Sequence, residues 1–134
     1  MIKAVVIDGN AISRGLLSTL LGNGGIAVAG DANTSTASLA AMVKLRPQIV
    51  CIDIGAVDEE GWLRLQMLRT ELPKALLFMV SGQFEAATIE SAAQRGVHGF
   101  IVKPFKEATV LATIRKAIMK IAREHQARGT AADA

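Results

Sequence analysis

Ile49-Val50-Cys51-Ile52-Asp53 is a run of four apolar residues that stops on a carboxylate. A continuous apolar run of this length keeps no polar face for solvent, so it suits a strand buried on both sides, as in a parallel sheet covered by helices. Similar runs recur at near-regular spacing: Ala4 to Ile7, Ile26 to Ala29, Ala75 to Val80, and Phe100 to Val102. Between them lie helical patterns, such as Ile12, Leu16, Leu17, Leu20 and Leu21, or Val110, Leu111, Ile114, Ile118 and Ile121, spaced to fill one helix face.

The punctuation agrees with five strand-helix repeats. Gly22 to Gly25 closes the first helix, Pro47, Pro73 and Gly96 follow the next three, and Asn10, Thr34 and Asp58 stand where N-caps are expected. Parallel strands joined by helices cross over right-handed, which gives a doubly wound α/β domain with helices on both faces. The leading expectation is a flavodoxin-like (βα)5 fold with strand order 2-1-3-4-5. The 134 residues, 51% of them apolar, suffice for one domain, taken as residues 1–125, with a small, polar, flexible tail at 126–134.

Composition narrows the function. The N-terminal run reaches Asp8 after too few apolar residues for a signal sequence, and the longest charge-free run, Gly15 to Gly30, is interrupted by small and polar residues. A soluble, cytoplasmic protein with no membrane contact is expected. The single cysteine, Cys51, reads as a core residue of a reducing compartment. A net charge of +3, collected late in the chain, is what a solvated helix face would show, and nucleic-acid binding is not expected. His98 and His125 lack partners at zinc-ligand spacing, and no glycine-rich phosphate loop follows a strand.

In open parallel sheets, ligands collect beyond the carboxyl ends of the strands. Those ends carry Asp8, Asp53, Ser81-Gly82 and Lys103-Pro104, while Gly30-Asp31 would lie apart at the sheet edge. Singly, each has a bland reading as a cap, a turn residue or a surface charge. Together they are two acids, a hydroxyl and a lysine on one rim, and an acid ending a buried strand needs a cation close by.

With these residues in place, the chain resembles the receiver domain of bacterial two-component response regulators, over residues 2 to 125. Ala4 to Asp8, Ile49 to Asp53, Leu77 to Gly82, and Gly99-Phe-Ile-Val-Lys-Pro-Phe105 stand in the family's order and at its distances. The resemblance implies that Asp53 is the phosphoacceptor and that Ser81 and Lys103 contact its phosphoryl oxygens. It implies Mg²⁺ held by Asp8, Asp53 and the Gly55 carbonyl, and a cis Lys103-Pro104 bond. It implies a switch in which Ser81 swings and Phe100 turns inward, though Phe100 also reads as a plain core aromatic. Gly55 and Gln83 would flank the hydrolytic water.

The implied role is that of a switch rather than an enzyme. It would take its phosphoryl group from a histidine kinase or histidine phosphotransfer protein and bind a downstream protein target, with a homodimer left open. The chain departs from the family in two places. Gly9 stands where a second acid commonly binds the metal, which should weaken Mg²⁺ binding. Val57 replaces the customary proline, and Glu59 and Glu60 read as first-turn residues of the third helix. The alternative from Gly9 is a degenerate receiver that binds protein partners without phosphorylation, and a small-molecule enzyme on the same fold is a third possibility.

Overall fold

A computed structural model describes residues 1–133, with side chains through residue 127. The elements are β1 (Lys3–Ile7), α1 (Ala11–Asn23), β2 (Ala27–Ala32), α2 (Thr36–Lys44), β3 (Ile49–Ile52), α3 (Glu59–Glu71), β4 (Leu76–Ser81), α4 (Ala86–Gln94), β5 (Val97–Val102) and α5 (Glu107–Asp133). All adjacent strands are parallel, in the expected order β2-β1-β3-β4-β5.

The pleat sends alternate residues of the central strands into two separate cores. Val6, Cys51, Phe78 and Val80 pack with Leu17 and Leu21 of α1 and Ile114 of α5. Val5, Ile7, Val50, Ile52, Leu77 and Met79 pack with Leu39 of α2, Leu65 and Leu68 of α3 and Ala92 of α4. Burial pushes the Cys51 thiol up to about 12, which leaves it an unreactive core residue.

Several boundaries and burials differ from the sequence expectation. β2 runs past Ala29 through Gly30 and Asp31, which an edge strand tolerates because one side faces solvent; a Cβ on Gly30 would press on Met42 of α2 and on Leu45, which follows that helix. β5 begins at Val97, before the expected Phe100. α2 is capped by Ser35, not Thr34, because the Asn33 side chain accepts the Ser35 amide and shifts the turn one residue onward. On α1, Leu17, Leu20 and Leu21 are buried, but Ile12 is 75% and Leu16 59% exposed. At about 100° per residue those two lie roughly 140° and 100° around the helix from Leu17, outside the buried arc. The helix α5 continues to Asp133, through the stretch expected as a tail, in keeping with the helix-forming Ala, Arg and Gln residues there. Side chains from residue 128 onward lie outside the described residues.

One contact ties stability to pH. The pairing of β4 with β5 slips at Leu77, and the Leu77 amide donates to Nδ1 of His98 at 3.2 Å. Burial, then the nearby Arg69 and Lys120 charges, lower the His98 pKa from 6.5, against a smaller upward pull from Glu124. A histidine depressed in the folded state contributes stability above its unfolded pKa of 6.5 and loses it as pH falls toward the folded value. Denaturant unfolding of the native chain is therefore expected to show stability dropping below pH 6.5. His98→Asn, whose Oδ1 accepts in place of Nδ1 without titrating, should flatten that part of the profile; an unchanged slope would assign it to other groups.

Candidate functional site: a carboxylate pair bridged by lysine

Strand register assembles the site. Ile7 pairs with Ile52, so the residues that follow, Asp8 and Asp53, leave the sheet side by side. The ladder runs one bond further on each strand: the Asp53 amide donates to Ile7 O, the Asp8 amide to Ala32 O and the Lys103 amide to Ser81 O, each at 2.9 Å. These bonds fix three backbones on the rim before any side chain acts.

Lys103 then joins the two acids. Its Nζ lies 2.8 Å from Asp8 Oδ2 and 2.8 Å from Asp53 Oδ2. The remaining carboxylate oxygens accept from backbone amides, Asp8 Oδ1 from Asn10 at 2.8 Å and Asp53 Oδ1 from Gly55 at 2.9 Å. Burial by itself would lower the Lys103 pKa; the hydrogen bonds and charges of Asp53 and Asp8 outweigh it and leave the ammonium raised. Asp8 is 5% exposed and is the buried charged residue among those described, so its burial depends on this pairing.

The neighbouring groups extend the rim. The Ser81 hydroxyl donates to Gln83 O at 2.9 Å and accepts from the Gln83 amide at 3.2 Å, so it is engaged with its own loop rather than with Asp53. Gly55 sits at φ 82°, a left-handed turn that glycine adopts freely. Asn10 caps α1 and Asp58 caps α3 by accepting the Gly61 amide at 2.9 Å. Glu59 and Glu60 occupy the exposed first turn of α3. Phe100 is half-buried and meets Phe84 edge-on, with centroids 5.1 Å apart. The Lys103-Pro104 bond is cis.

Sequence reasoning missed the arginines. Arg14 Nη1 donates to the Asp8 carbonyl at 2.8 Å, and its Nε reaches Asp31 at 3.2 Å. Asp31 thus stays off the lysine cluster, as expected, yet connects to the backbone of Asp8. Arg64 Nη1 donates to the Ile54 carbonyl at 2.7 Å. Long side chains reach partners that neither spacing nor periodicity announces, so no signal in the sequence marked them.

The donors suit a hard divalent cation in kind, since carboxylates and a backbone carbonyl are what Mg²⁺ takes. Their number is low. Among the described residues no group of three or more His, Cys, Asp or Glu gathers, because Gly9 brings no carboxylate and an ammonium already lies against both acids.

A doubly wound sheet with a carboxylate pair and a lysine at the carboxyl ends of its strands defines the receiver class of signalling domains. The chain belongs to the response regulator receiver domain family, whose model matches residues 4–115. It is similar to the chemotaxis protein CheY of Listeria monocytogenes, 25% identical over 117 residues covering 87% of this chain and 98% of that one. It is also similar to a protein-glutamate methylesterase/protein-glutamine glutaminase of Oleidesulfovibrio alaskensis, 31% identical over 94% of this chain but 33% of that protein. Among solved structures, the chemotaxis response regulator CheY4 of Vibrio cholerae superposes with a TM-score of 0.74 at 22% identity, covering 87% of this chain and 98% of that one. NtrX of Brucella abortus gives 0.81 at 24%, covering 97% and 30%. No helix among the described residues is long and apolar enough to cross a membrane.

Proposed function

We propose that the protein is a phosphorylation-controlled receiver: it accepts a phosphoryl group on Asp53 and changes its binding to a protein target. The observation that carries this reading is the Lys103 ammonium held 2.8 Å from both Asp8 and Asp53. A carboxylate that must approach an anionic phosphoryl donor needs fixed positive charge beside it, and Lys103 supplies a compact, movable one. In the reaction a carboxylate oxygen of Asp53 attacks the phosphorus of a phosphohistidine. The P–N bond breaks, its electron pair stays on the imidazole, and the imidazole takes a proton from solvent. Lys103 leaves the carboxylate to pair with the new phosphoryl oxygens, and the Ser81 hydroxyl, freed from Gln83 O, donates to another. Bound Mg²⁺, held by Asp8, Asp53 and the Gly55 carbonyl, would supply further charge neutralisation, with affinity reduced by Gly9.

Two surfaces support the partners. Exposed Ile12 and Leu16 lie one turn apart on α1, which starts at the rim beside Asp8, and offer an apolar landing for the kinase or phosphotransfer protein that presents its histidine. On the other flank a groove of about 510 Å³ is lined by Phe100, Val102, Pro104, Lys106, Thr109 and Thr113 among others. Phe100 links this groove to the Ser81 loop through Phe84, so a change at the phosphoacceptor alters the face a target reads. The Gly55 amide binds Asp53 Oδ1, and Gln83 follows Ser81 on the neighbouring loop; by the family resemblance these two positions would flank the hydrolytic water and influence the lifetime of the modification.

A second reading, a receiver that binds partners without phosphorylation, is favoured by the missing acid at Gly9 and by the partial charge neutralisation that Lys103 already provides. Intact-mass analysis separates the two. Incubation with acetyl phosphate, or with a cognate kinase and ATP, is expected to add one phosphoryl group to the native chain and none to Asp53→Asn. No mass gain with either donor would leave the phosphorylation-independent reading standing.

A further inference from the structure

We propose that Arg64 is a positioning residue for Asp53, acting through the peptide unit between Ile54 and Gly55. The inference rests on Asp53 being the phosphoacceptor and assigns a role to a side chain outside the acid cluster.

The loop after β3 needs such a support. Residues 55 to 58 are exposed and contain no proline, so little in their own sequence restrains them. Arg64 of α3 reaches back ten residues, and its Nη1 donates to the Ile54 carbonyl at 2.7 Å. That carbonyl shares a planar peptide with the Gly55 N–H, and this N–H donates to Asp53 Oδ1 at 2.9 Å. The guanidinium therefore grips one end of the peptide whose other end holds the carboxylate. Hydrogen bonds in series polarise one another, so the charged donor at the carbonyl strengthens the amide bond to Asp53 as well as aiming it. With Oδ1 held this way, Oδ2 is left to Lys103.

The surroundings fit this role. Arg64 lies next to the buried stripe of α3 formed by Gly61, Leu65 and Leu68, and its side chain is 29% exposed. An apolar residue would satisfy the stripe; a guanidinium there needs acceptors, and it finds the Ile54 carbonyl, with Glu60 4.0 Å away. A Cβ on Gly55 would stand 3.5 Å from Arg64 Nη1, in ordinary contact, so the guanidinium fills the space beside the bare Gly55 backbone. Gly61 keeps the helix start close: a Cβ there would collide with the Ala56 carbonyl.

The test compares the native chain with Arg64→Met, which keeps the stem and loses the donors, and Arg64→Lys, which keeps one charge without the fork. Two readouts are taken: hydrogen exchange of the Gly55 amide by NMR, and the phosphorylation rate at saturating acetyl phosphate and Mg²⁺ by intact mass. Arg64→Met is expected to exchange Gly55 faster and to lower the saturating rate by roughly tenfold, as small misplacements of a reacting group do, with the half-saturating donor concentration unchanged. Arg64→Lys should recover part of both. A role limited to packing would lower the melting temperature and leave both readouts within twofold of the native chain, and that result would overturn the proposal. If the native chain takes up no phosphoryl group, the phosphoacceptor reading falls, and Gly55 exchange alone then decides whether Arg64 holds the loop.

Discussion

Gly9→Asp is expected to tighten Mg²⁺ binding by at least roughly 10- to 100-fold, the loss that removing even a supporting group from a metal site commonly produces. The native rim has two carboxylates, and a lysine neutralises half of their charge. A third carboxylate adds both a hard oxygen ligand and the negative charge that lets a dication compete with the ammonium. The backbone accepts the change: a Cβ at position 9 meets no heavy atom within 4 Å, and the residue is outside the left-handed region. Gly9→Asn serves as the control, since it offers an oxygen without charge and should gain much less. Calorimetric titration, or fluorescence of Trp62 in the first turn of α3, measures both. Equal affinities for the native chain and Gly9→Asp would show that the missing acid does not limit the metal site.

Lys103→Met is the change with the largest expected effect on the protein itself. It leaves the stem's volume and removes the charge, so Asp8 and Asp53 face each other without a cation in a partly desolvated rim. Breaking a fully buried ion pair in this way costs about 3–5 kcal/mol, and here the share of solvent reaching all three groups reduces that to roughly 1–3 kcal/mol. Denaturant unfolding at neutral pH measures the loss. Added Mg²⁺ should restore more stability to the variant than to the native chain, because the vacated acids bind it in the folded state alone. The raised Lys103 pKa gives a further sign: its contribution is present below the unfolded value of 10.5 and lost as pH rises through the higher folded value, a decline the variant lacks. Phosphoryl uptake should also fall sharply. Native stability with no Mg²⁺ dependence would mean that the acids find another partner.

The fold was legible because each central strand announces itself. Ile49-Val-Cys-Ile has no polar residue to expose, and the five such runs with their glycine, proline and cap punctuation leave a doubly wound sheet as the consistent solution. The four rim residues followed, since a strand that ends on Asp or Lys in such a sheet places that residue at the ligand-binding edge. Legibility failed at the margins of burial. Ile12 and Leu16 are apolar by type and read as core, yet helix α1 rotates them away from the sheet toward solvent. Gly30 and Asp31 read as a strand's end, yet β2 continues through them because it is an edge strand.

By itself, then, the sequence determined the alternation of strands and helices, the acids and lysine that end the strands, and the gap at Gly9, because these follow from local polarity and short-range punctuation. Only the tertiary structure decided that Lys103 bridges Asp8 and Asp53, that Ser81 is occupied by its own loop, and that Arg14 and Arg64 hold the backbones beside the acids. Those contacts join residues up to 95 positions apart through long, rotatable side chains, as Lys103 and Asp8 show. Their partners are fixed by the packing of the sheet and helices, which no local pattern of residues encodes.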